Sequence, residues 1–244
     1  MFSKLTILRF KKLLVIFKNW HLLQVFIKYK VLAAVEHKNI LSKEIKTLID
    51  IGANRGQFSL AAISKKPNIN IFAFEPLQRP AIIYKEIFRN NNKVKIYDYA
   101  IGDEEKTMNM NLSSKDDSSS LLKIAKLQTE NFPGTEKVGE EKIKVAPLDR
   151  FLDTTKLLSP VLLKLDVQGF ELQALKGTKS LFKDIDYIYC ECSFIQLYEN
   201  QALASDVINF LYNNNFNLTG AFNMQFDTVS NCIQADFLFE KVKE

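Results

Sequence analysis

The sequence is poor in the residues that build disulfide frameworks and metal sites. Only three of its 244 residues are cysteines, Cys190, Cys192 and Cys232. Three cysteines are too few for a disulfide scaffold, and their spacing does not match a zinc site. Such sparse cysteine use indicates a reducing, cytoplasmic location. The only two histidines, His21 and His37, lie in the first 40 residues and are expected at the surface or in packing contacts. Chemistry that needs a histidine base or ligand is therefore not expected in the rest of the chain.

The sequence also lacks a long uninterrupted apolar segment. Lys18, Asn19 and His21 interrupt the N-terminal segment, whereas a spanning helix needs about 20 mostly apolar residues. The long apolar region and small-residue cleavage site of a secretory signal are missing too. Apolar residues recur instead at helical spacing, which predicts an amphipathic helical extension over residues 1–45, with one stripe formed by Leu13, Ile16, Phe17, Trp20, Leu23, Ile27, Val31 and Ala34.

Positive charge is concentrated in the same segment. The net charge of the chain is +5, but residues 1–46 carry +8 and the remainder therefore carries −3. A protein that binds nucleic acid carries basic residues on its folded domain, so no nucleic-acid partner is expected. Two interpretations of the segment stay open. One is a helix packed on the domain, and the other is peripheral contact of residues 1–35 with an anionic membrane, anchored by Phe17 and Trp20.

From residue 46 onward, short apolar runs alternate with helical patterns. This alternation predicts an α/β domain over residues 46–244 with a largely parallel sheet. The predicted strands are Thr47–Ile51, Ile69–Phe74, Val94–Ala100, Val161–Leu165 and Tyr187–Cys192, with a closing pair at Phe216–Phe222 and Cys232–Phe239. The predicted helices are Phe58–Ser64, Pro80–Asn90, Phe170–Leu181 and Ser205–Asn213.

The alternation fails between residues 104 and 147. Met108–Leu112 and Lys142–Ala146 are expected to pair as extra strands, and the stretch between them is polar and rich in turn residues. So long an irregular stretch in a compact domain is typical of a lid, a binding loop or a disordered segment.

Acidic residues follow or end four of the predicted strands. They are Asp50, Glu75, Asp166 and Glu191. Because ligands of open α/β sheets bind beyond the carboxyl ends of the strands, these carboxylates predict a polar, partly cationic ligand at that edge.

The turn after the first strand narrows the choice of ligand. Gly52 and Gly56 are four residues apart, without the G-x-G-x-x-G spacing of a nicotinamide site. Asp50 disfavours a pyrophosphate and suits an ammonium group, while Glu75 on the next strand is placed to accept hydrogen bonds from a ribose diol. An amino-acid group at one strand and a ribose at the next are the two parts of S-adenosylmethionine.

With these motifs the chain resembles the FkbM-type methyltransferases of the class I S-adenosylmethionine-dependent group. The matching motifs run in order along the chain and are Leu48–Phe58, Ala73–Pro76, Ala100–Asp103, Ser118–Leu121, Lys164–Glu171, Leu175–Gly177 and Glu191–Tyr198. The motif at Lys164–Glu171 (KLDVQGFE) is the most family-specific. The chain departs from many relatives at Gln168, where they carry glutamate, so a role that needs a charge there is not carried over.

The resemblance implies a Rossmann-like, seven-stranded, mostly parallel sheet whose last strand is antiparallel, and methyl transfer to a hydroxyl oxygen. It implies that the methionine part of the cofactor lies at the first turn, the ribose at Glu75, the adenine beside Ala100 and Ile101, and the sulfonium near Asp166. The implied cofactor-binding residues are Asp50, Gly52, Ala53, Asn54, Gly56, Phe58, Glu75, Pro76, Ala100, Ile101 and Asp166.

Methyl transfer to a hydroxyl requires alignment and is helped by a base. The candidate catalytic residues are Asp166, ranked first, Glu191 and the neighbouring Lys164. Glu171 is also a candidate, although an acidic residue in the first turn of a helix is explained by the helix dipole. Glu191 has the alternative of accepting backbone hydrogen bonds at a strand end. Two carboxylates without a third ligand do not define a metal site, so none is predicted.

Several other residues have structural explanations. Cys190 and Cys192 share one face of a strand and are expected to be small core residues. Phe194, Leu197 and Tyr198 either line an acceptor pocket or pack in the core.

The sequence therefore predicts a cytoplasmic methyltransferase that uses S-adenosylmethionine. Its expected acceptor is a sugar hydroxyl of a glycan, a glycolipid or a lipid-linked or nucleotide-linked precursor. Two alternatives stay open: a nicotinamide-dependent oxidoreductase, and a non-catalytic, membrane-associated binding protein on the same fold. Methyl transfer to nitrogen instead of oxygen is a third possibility that the sequence leaves open.

Overall fold

A seven-stranded sheet forms the centre of the computed structural model, which describes residues 19–242. Five parallel strands lie in the order β3, β2, β1, β7 and β8, and comprise Val94–Tyr97, Asn70–Phe74, Thr47–Ile51, Val161–Leu165 and Tyr187–Ser193. The sheet is completed by β9 (Phe216–Phe226) and β10 (Cys232–Lys241). The last strand, β10, lies between β8 and β9 and is antiparallel to both. This order confirms the predicted sheet and its antiparallel last strand.

Strands β1, β2 and β7 are paired in register up to their last residues, so their carboxyl ends lie side by side. Every residue of β1 and of β7 is buried, as expected for a parallel sheet that is covered on both faces. Ile51 pairs with Phe74 of β2 and with Leu165 of β7, so the residues that follow these three strands meet at one edge. This register is what brings distant segments of the sequence to a common site.

Helices cover both faces of the sheet. They are α1 (Trp20–Tyr29), α2 (Lys38–Leu41), α3 (Gln57–Lys65), α4 (Gln78–Phe88), α5 (Lys126–Asn131), α6 (Glu171–Thr178) and α7 (Ala204–Tyr212). Side chains of α1 to α4 pack with Leu48 and Leu162 in one core, whereas α6 and α7 pack with Ile49 and Leu163 in the other. Neighbouring residues of a strand thus point to opposite helix layers.

The N-terminal segment packs on the domain with a different face from the predicted one. Helix α1 buries Leu22 and Val25, while Trp20 and Ile27 of the predicted stripe are 71% and 61% exposed. The helix ends at Tyr29 because Lys30 adopts a left-handed conformation with φ of 58°. Val31 and Ala34 therefore lie beyond it, and the predicted positions Leu13, Ile16 and Phe17 lie outside the described residues.

Within residues 19–242, no helix has the length and apolar character needed to cross a bilayer.

Residues 104–147 form most of a second, three-stranded sheet. Its strands are β4 (Ala100–Ile101), β5 (Lys106–Ser113) and β6 (Lys137–Ala146), in the order β4, β6, β5. Met108 pairs with Ile143, which confirms the predicted pairing of two extra strands. The predicted strand Val94–Ala100 is wrong at its end, because β3 stops at Tyr97 and Ala100 pairs with Val145 in the second sheet.

Candidate active site

A cavity of about 260 Å³ lies where β1, β2 and β7 end. Most of the predicted site residues line it, although they come from four separate parts of the sequence. The predicted residues on its wall are Gly52, Ala53, Asn54, Phe58, Glu75, Pro76, Ala100, Ile101, Lys164 and Asp166. The second sheet and the loop after β5 add Met110, Asp117, Ser119 and Leu121, which were not predicted.

Three predicted residues lie behind the wall instead of on it. Asp50 is fully buried, because its position on β1 directs the side chain toward α3, where Ser59 Oγ donates a hydrogen bond to Oδ2 at 2.7 Å. Gly56 has its Cα against Phe88, and an added Cβ would lie 2.6 Å from that ring. Glu191 lies on β8, one strand beyond β7, and is absent from the cavity lining. The predicted direct contact between Asp50 and the ammonium group of the ligand is therefore wrong, because the Asp50 side chain is buried behind the cavity wall.

The first turn is held against both neighbouring strands. The amide groups of Gly52 and Ala53 donate to the carbonyl oxygen of Phe74, each at 3.0 Å. Gly52 has φ of +75°, and a Cβ at this position would lie 1.9 Å from the carbonyl oxygen of Asp166. Only glycine permits so close an approach of the two backbones. The turn thus forms one wall of the cavity with a fixed position.

A buried ion pair lies under this turn. Lys164 is opposite Asp50 in the parallel register of β7 and β1, and its Nζ lies 3.1 Å from Asp50 Oδ1. The ammonium group also donates to the carbonyl oxygen of Gly52 at 2.9 Å. Burial alone would lower the pKa of Lys164, but Asp50 and Asp166 outweigh it and raise that pKa. Lys164 therefore stays protonated and positions the turn, while its expected role in catalysis stays a prediction.

Glu75 is a buried carboxylate that faces the cavity. Its oxygens accept hydrogen bonds from the backbone amides of Leu77 and Asn54, both at 2.9 Å. Burial raises the pKa of Glu75 to about 7, although those two hydrogen bonds lower it. Each oxygen retains a second lone pair, so the carboxylate can still accept from a ribose diol.

Gln168 joins the two carboxylates that were expected to act in catalysis. Its Nε2 donates to Asp166 Oδ1 at 2.7 Å and to Glu191 Oε2 at 3.0 Å, and its Oε1 accepts from the Tyr198 hydroxyl at 2.7 Å. Burial and the nearby charge of Asp166 raise the pKa of Glu191. The amide bonds both carboxylates at once, which a carboxylate at position 168 cannot do. In both Asp166 and Glu191, one carboxylate oxygen is therefore already occupied by a hydrogen bond from Gln168.

Histidine reaches the cavity, contrary to the sequence expectation. His37 and its neighbour Glu36 lie between α1 and α2 and line the cavity. The His37 ring packs on Phe58 at 5.1 Å between centroids and hydrogen-bonds to Tyr189. No periodicity or motif identifies this residue, because it lies in a short 3₁₀ turn whose position depends on the packing of residues 31–45 on the sheet.

The remaining candidates have structural roles. Glu171 is buried at the first position of α6, where it accepts from the amides of Val167 and Gly169, so the structural explanation of this residue is the better one. Cys190 and Cys192 are buried core residues, as predicted. Leu197 and Tyr198 are buried and Phe194 packs on Phe237, and none of the three lines the cavity. In the part of the chain that is described, no three His, Cys, Asp or Glu side chains form a group that could hold a metal ion.

The cavity fits an amino acid joined to a nucleoside. Four acidic side chains line it, those of Glu36, Glu75, Asp117 and Asp166, which suits a ligand that carries positive charge. Apolar side chains lie at the second sheet and beside α6, where a flat base can pack, and they are Ala100, Ile101, Leu121 and Phe170. In strand order, Glu75 after β2 lies between the first turn after β1 and Ala100 after β3, which is where a ribose would join the two parts of the ligand.

Comparisons with known proteins show which family the chain resembles in sequence. A family profile described as the methyltransferase FkbM domain matches residues 50–218. The curated 2-O-methyltransferase NoeI of Sinorhizobium fredii is 25% identical over 179 residues, which cover 71% of this chain and 74% of NoeI.

Solved structures with a similar fold include two methyltransferases. The precorrin-6y C5,15-methyltransferase from Geobacter metallireducens has a TM-score of 0.45 and 12% identity, over 86% of this chain and 87% of that one. The magnesium protoporphyrin IX methyltransferase from Synechocystis has a TM-score of 0.42 and 10% identity, over 84% of this chain and 73% of that one.

Cofactor binding is expected to release a proton from Glu75. Because ribose hydroxyls donate to the ionised carboxylate, binding lowers a pKa that lies at about 7 in the free protein, so near pH 7 roughly half a proton leaves. Affinity should accordingly fall as the pH drops below 7. Calorimetry with S-adenosylhomocysteine, in buffers of different ionisation enthalpy, measures the proton number. Glu104→Gln, at an exposed carboxylate, is the control and should retain the release, whereas Glu75→Gln should abolish it. Equal proton release by both variants would contradict this account.

Removal of the Lys164 charge is expected to destabilise the fold. In Lys164→Met, Asp50 is left as a buried charge without its partner, which costs about 3–5 kcal/mol. The double variant Asp50→Asn, Lys164→Met has no such charge and should recover part of that loss. Urea unfolding measures both values, with the exposed Lys179→Met as the control. If Lys164→Met unfolds like the wild type, or the double variant is no more stable than the single one, the pair does not hold the turn.

Proposed function

Since the chain belongs to the FkbM methyltransferase family and is an S-adenosylmethionine-dependent methyltransferase, we propose that it methylates a sugar hydroxyl of a phosphate-linked glycan precursor. The observation that carries this proposal is the cavity, in which the glycine turn, Glu75 and an apolar region follow one another along the sheet edge. The similarity to NoeI, named as a 2-O-methyltransferase, supports transfer to oxygen.

The cofactor-binding roles follow from the cavity wall. We assign the methionine part to Gly52, Ala53 and Asn54, with Phe58 beside it, and the ribose to Glu75 next to Pro76. Ala100 and Ile101 are assigned to the adenine, and Asp166 to the region of the sulfonium. When bound, the cofactor supplies a methyl group that the positive sulfur activates for displacement. The protein then has to align the acceptor oxygen, which is an orientation effect of up to about 7–11 kcal/mol.

The two alternatives lose their support. A nicotinamide-dependent oxidoreductase is disfavoured by the glycine spacing of the first turn and by the family match. A non-catalytic binding protein retains the cavity without transferring a methyl group, whereas the family is one of enzymes.

A cationic groove next to the cavity favours a phosphate-linked acceptor. The groove has a volume of about 490 Å³ and shares Asn54, Gln57 and Asp117 with the cavity wall. Four basic side chains and one acidic side chain line it, and the basic ones are Lys30, Arg55, Arg79 and Lys115. Arginine and lysine bind phosphate groups by charge-assisted hydrogen bonds. A neutral glycan would gain little from this groove, whereas a nucleotide-linked or lipid-linked sugar would place its phosphate there.

A tritiated-methyl transfer assay tests the acceptor class. The substrates are nucleotide sugars, lipid-linked sugars and neutral glycans from the source cells, and we expect incorporation into a phosphate-containing fraction. Arg79→Glu should raise KM for that fraction roughly tenfold with kcat little changed, since reversal of an exposed charge changes an ion pair by about 1–2 kcal/mol.

The control is Lys179→Glu, an exposed charge reversal outside the groove, which should transfer like the wild type. Methyl incorporation into neutral glycans alone would contradict the phosphate-linked acceptor. If no sugar-containing fraction is methylated, the sugar acceptor itself is wrong.

Peripheral attachment to the inner face of the membrane is the second part of the proposal. Trp20 and Ile27 are exposed on α1, and exposed Lys28 and Lys30 lie next to them. Exposed apolar side chains flanked by basic residues are typical of helices that bind anionic bilayers. This surface would bring a cytoplasmic enzyme close to lipid-linked acceptors.

Vesicle flotation tests this attachment. We expect the protein to float with vesicles that contain phosphatidylglycerol and not with phosphatidylcholine vesicles, because both charge and apolar contact contribute. The variant Trp20→Ser, Ile27→Ser should float less. Val229→Ser removes an apolar side chain of similar exposure from the turn between β9 and β10 and should change nothing. Absence of flotation, or equal flotation of all variants, would remove the membrane from the proposal.

A further inference from the structure

His37 is connected to a buried carboxylate through a tyrosine. Its Nδ1 lies 3.0 Å from the Tyr189 hydroxyl, and that hydroxyl donates to Asp236 Oδ2 at 3.0 Å. Asn223 Nδ2 donates to the same oxygen at 2.7 Å. The three partners come from three strands, β8, β10 and β9. The His37 ring is thereby held in one orientation at the cavity wall.

The shortest hydrogen bond of Nδ1 indicates which ring nitrogen carries the hydrogen. The Tyr189 hydrogen is used toward Asp236, so the tyrosine oxygen accepts from Nδ1–H of His37. Asn223 Nδ2 also lies 3.3 Å from Nδ1, but its shorter hydrogen bond, of 2.7 Å, goes to Asp236. The neutral ring then has a bare nitrogen at Nε2. Among the described residues, Nε2 has no hydrogen-bond partner, and the ring lines the cavity with its side chain 19% exposed.

We propose that His37 is the general base of the transfer, and that Tyr189 and Asp236 are positioning residues that orient it. The inference rests on the proposed function, because it assumes a hydroxyl acceptor. As the acceptor oxygen bonds to the methyl carbon, the bond from that carbon to sulfur breaks and sulfur keeps the electron pair. The hydroxyl proton moves to His37 Nε2, and the resulting imidazolium lies 3.5 Å from Asp236 Oδ2. The proton then passes to solvent.

The surroundings suit a base better at His37 than at Asp166. Asp166 Oδ1 accepts from Gln168, and its Oδ2 lies 4.0 Å from the Lys164 ammonium, so both oxygens already face a partner in the protein. Burial lowers the pKa of His37, although Asp236 and Glu36 oppose that effect, and the ring is therefore neutral at pH 7. A neutral imidazole whose other nitrogen is held by a hydrogen bond has the arrangement of bases in other transfer enzymes.

Neither His37 nor Asp236 belongs to the stretch that identifies the family. The family profile ends at residue 218 and begins at residue 50, so both lie outside it. The base is thus a feature of this chain's own flanking segments, which the fold brings to the cavity.

Nuclear magnetic resonance of histidine-labelled protein tests the tautomer without any turnover. The chain has only two histidines, and His21→Asn assigns the His37 signal. We expect the neutral Nδ1–H tautomer with bare Nε2 at pH 7, in the free protein and with S-adenosylhomocysteine bound. Tyr189→Phe should shift the tautomer toward Nε2–H. A hydrogen on Nε2, or an imidazolium at pH 7, in the wild type overturns the proposal.

Transfer rates test the catalytic role. In His37→Asn, kcat should fall about 100-fold or more, the lower end of what a general base contributes, while KM for the cofactor changes little. The kcat values of Tyr189→Phe and Asp236→Asn should lie between those of His37→Asn and the wild type. The kcat of His21→Asn should equal that of the wild type. Calorimetry with S-adenosylhomocysteine confirms that each variant is folded and binds.

The pH profile separates a base from a structural residue. The acid limb of kcat/KM should have the pKa that resonance measures for His37, and the limb should disappear in His37→Asn. The groups that face His37 are Asp236, Tyr189 and Asn223 from the strands, Lys164 and Asp166 from the end of β7, and Glu36 from its own turn.

Unchanged kcat in His37→Asn overturns the inference and leaves the proposed function intact. A wild type that binds S-adenosylhomocysteine but methylates no sugar-containing fraction contradicts the proposed function instead. The tautomer then still decides whether His37 can accept a proton.

Discussion

The buried ion pair between Lys164 and Asp50 is the constraint on which the rest of the site depends. It lies between two parallel strands in register and reaches the carbonyl oxygen of Gly52, so it fixes the height of the first turn above the sheet. Gly52 in turn lies against the backbone of Asp166. Because an unpaired charge in this place is costly, the two strands and the turn cannot shift independently.

The acidic residues at this edge differ in function because their surroundings differ. Asp50 is neutralised by an ammonium group, Glu75 is held by two backbone amides, and Asp166 and Glu191 share one side-chain amide. Only Glu75 and Asp166 also line the cavity. The four acidic residues therefore differ in role: two of them, Glu75 and Asp166, can face a positively charged ligand, and the other two are held inside the protein.

Sequence patterns predicted the sheet well, because buried parallel strands are continuous apolar runs and their ends carry the glycines and acids of the site. The patterns failed where long-range packing decides. The sequence predicts Asp50 at the ligand because the end of its strand can be recognised from the apolar run. The alternation of side chains along β1 instead directs Asp50 toward α3. His37 was expected at the surface or in packing contacts and not at the ligand, since nothing local shows that residues 31–45 fold back to the cavity. Helix α1 buries Leu22 and Val25 and exposes Trp20, because the packing of the helix on the domain selects its buried face.

A crystal structure with S-adenosylhomocysteine tests the central claim most directly, namely that the turn above the Lys164–Asp50 pair and the carboxylate of Glu75 together bind the methyl donor. This account predicts ribose hydroxyls within hydrogen-bond distance of Glu75, the amino-acid part at Gly52 to Asn54 and the adenine beside Ala100 and Ile101. A ligand bound elsewhere, or bound in this cavity with Glu75 still contacting only the amides of Asn54 and Leu77, would contradict it.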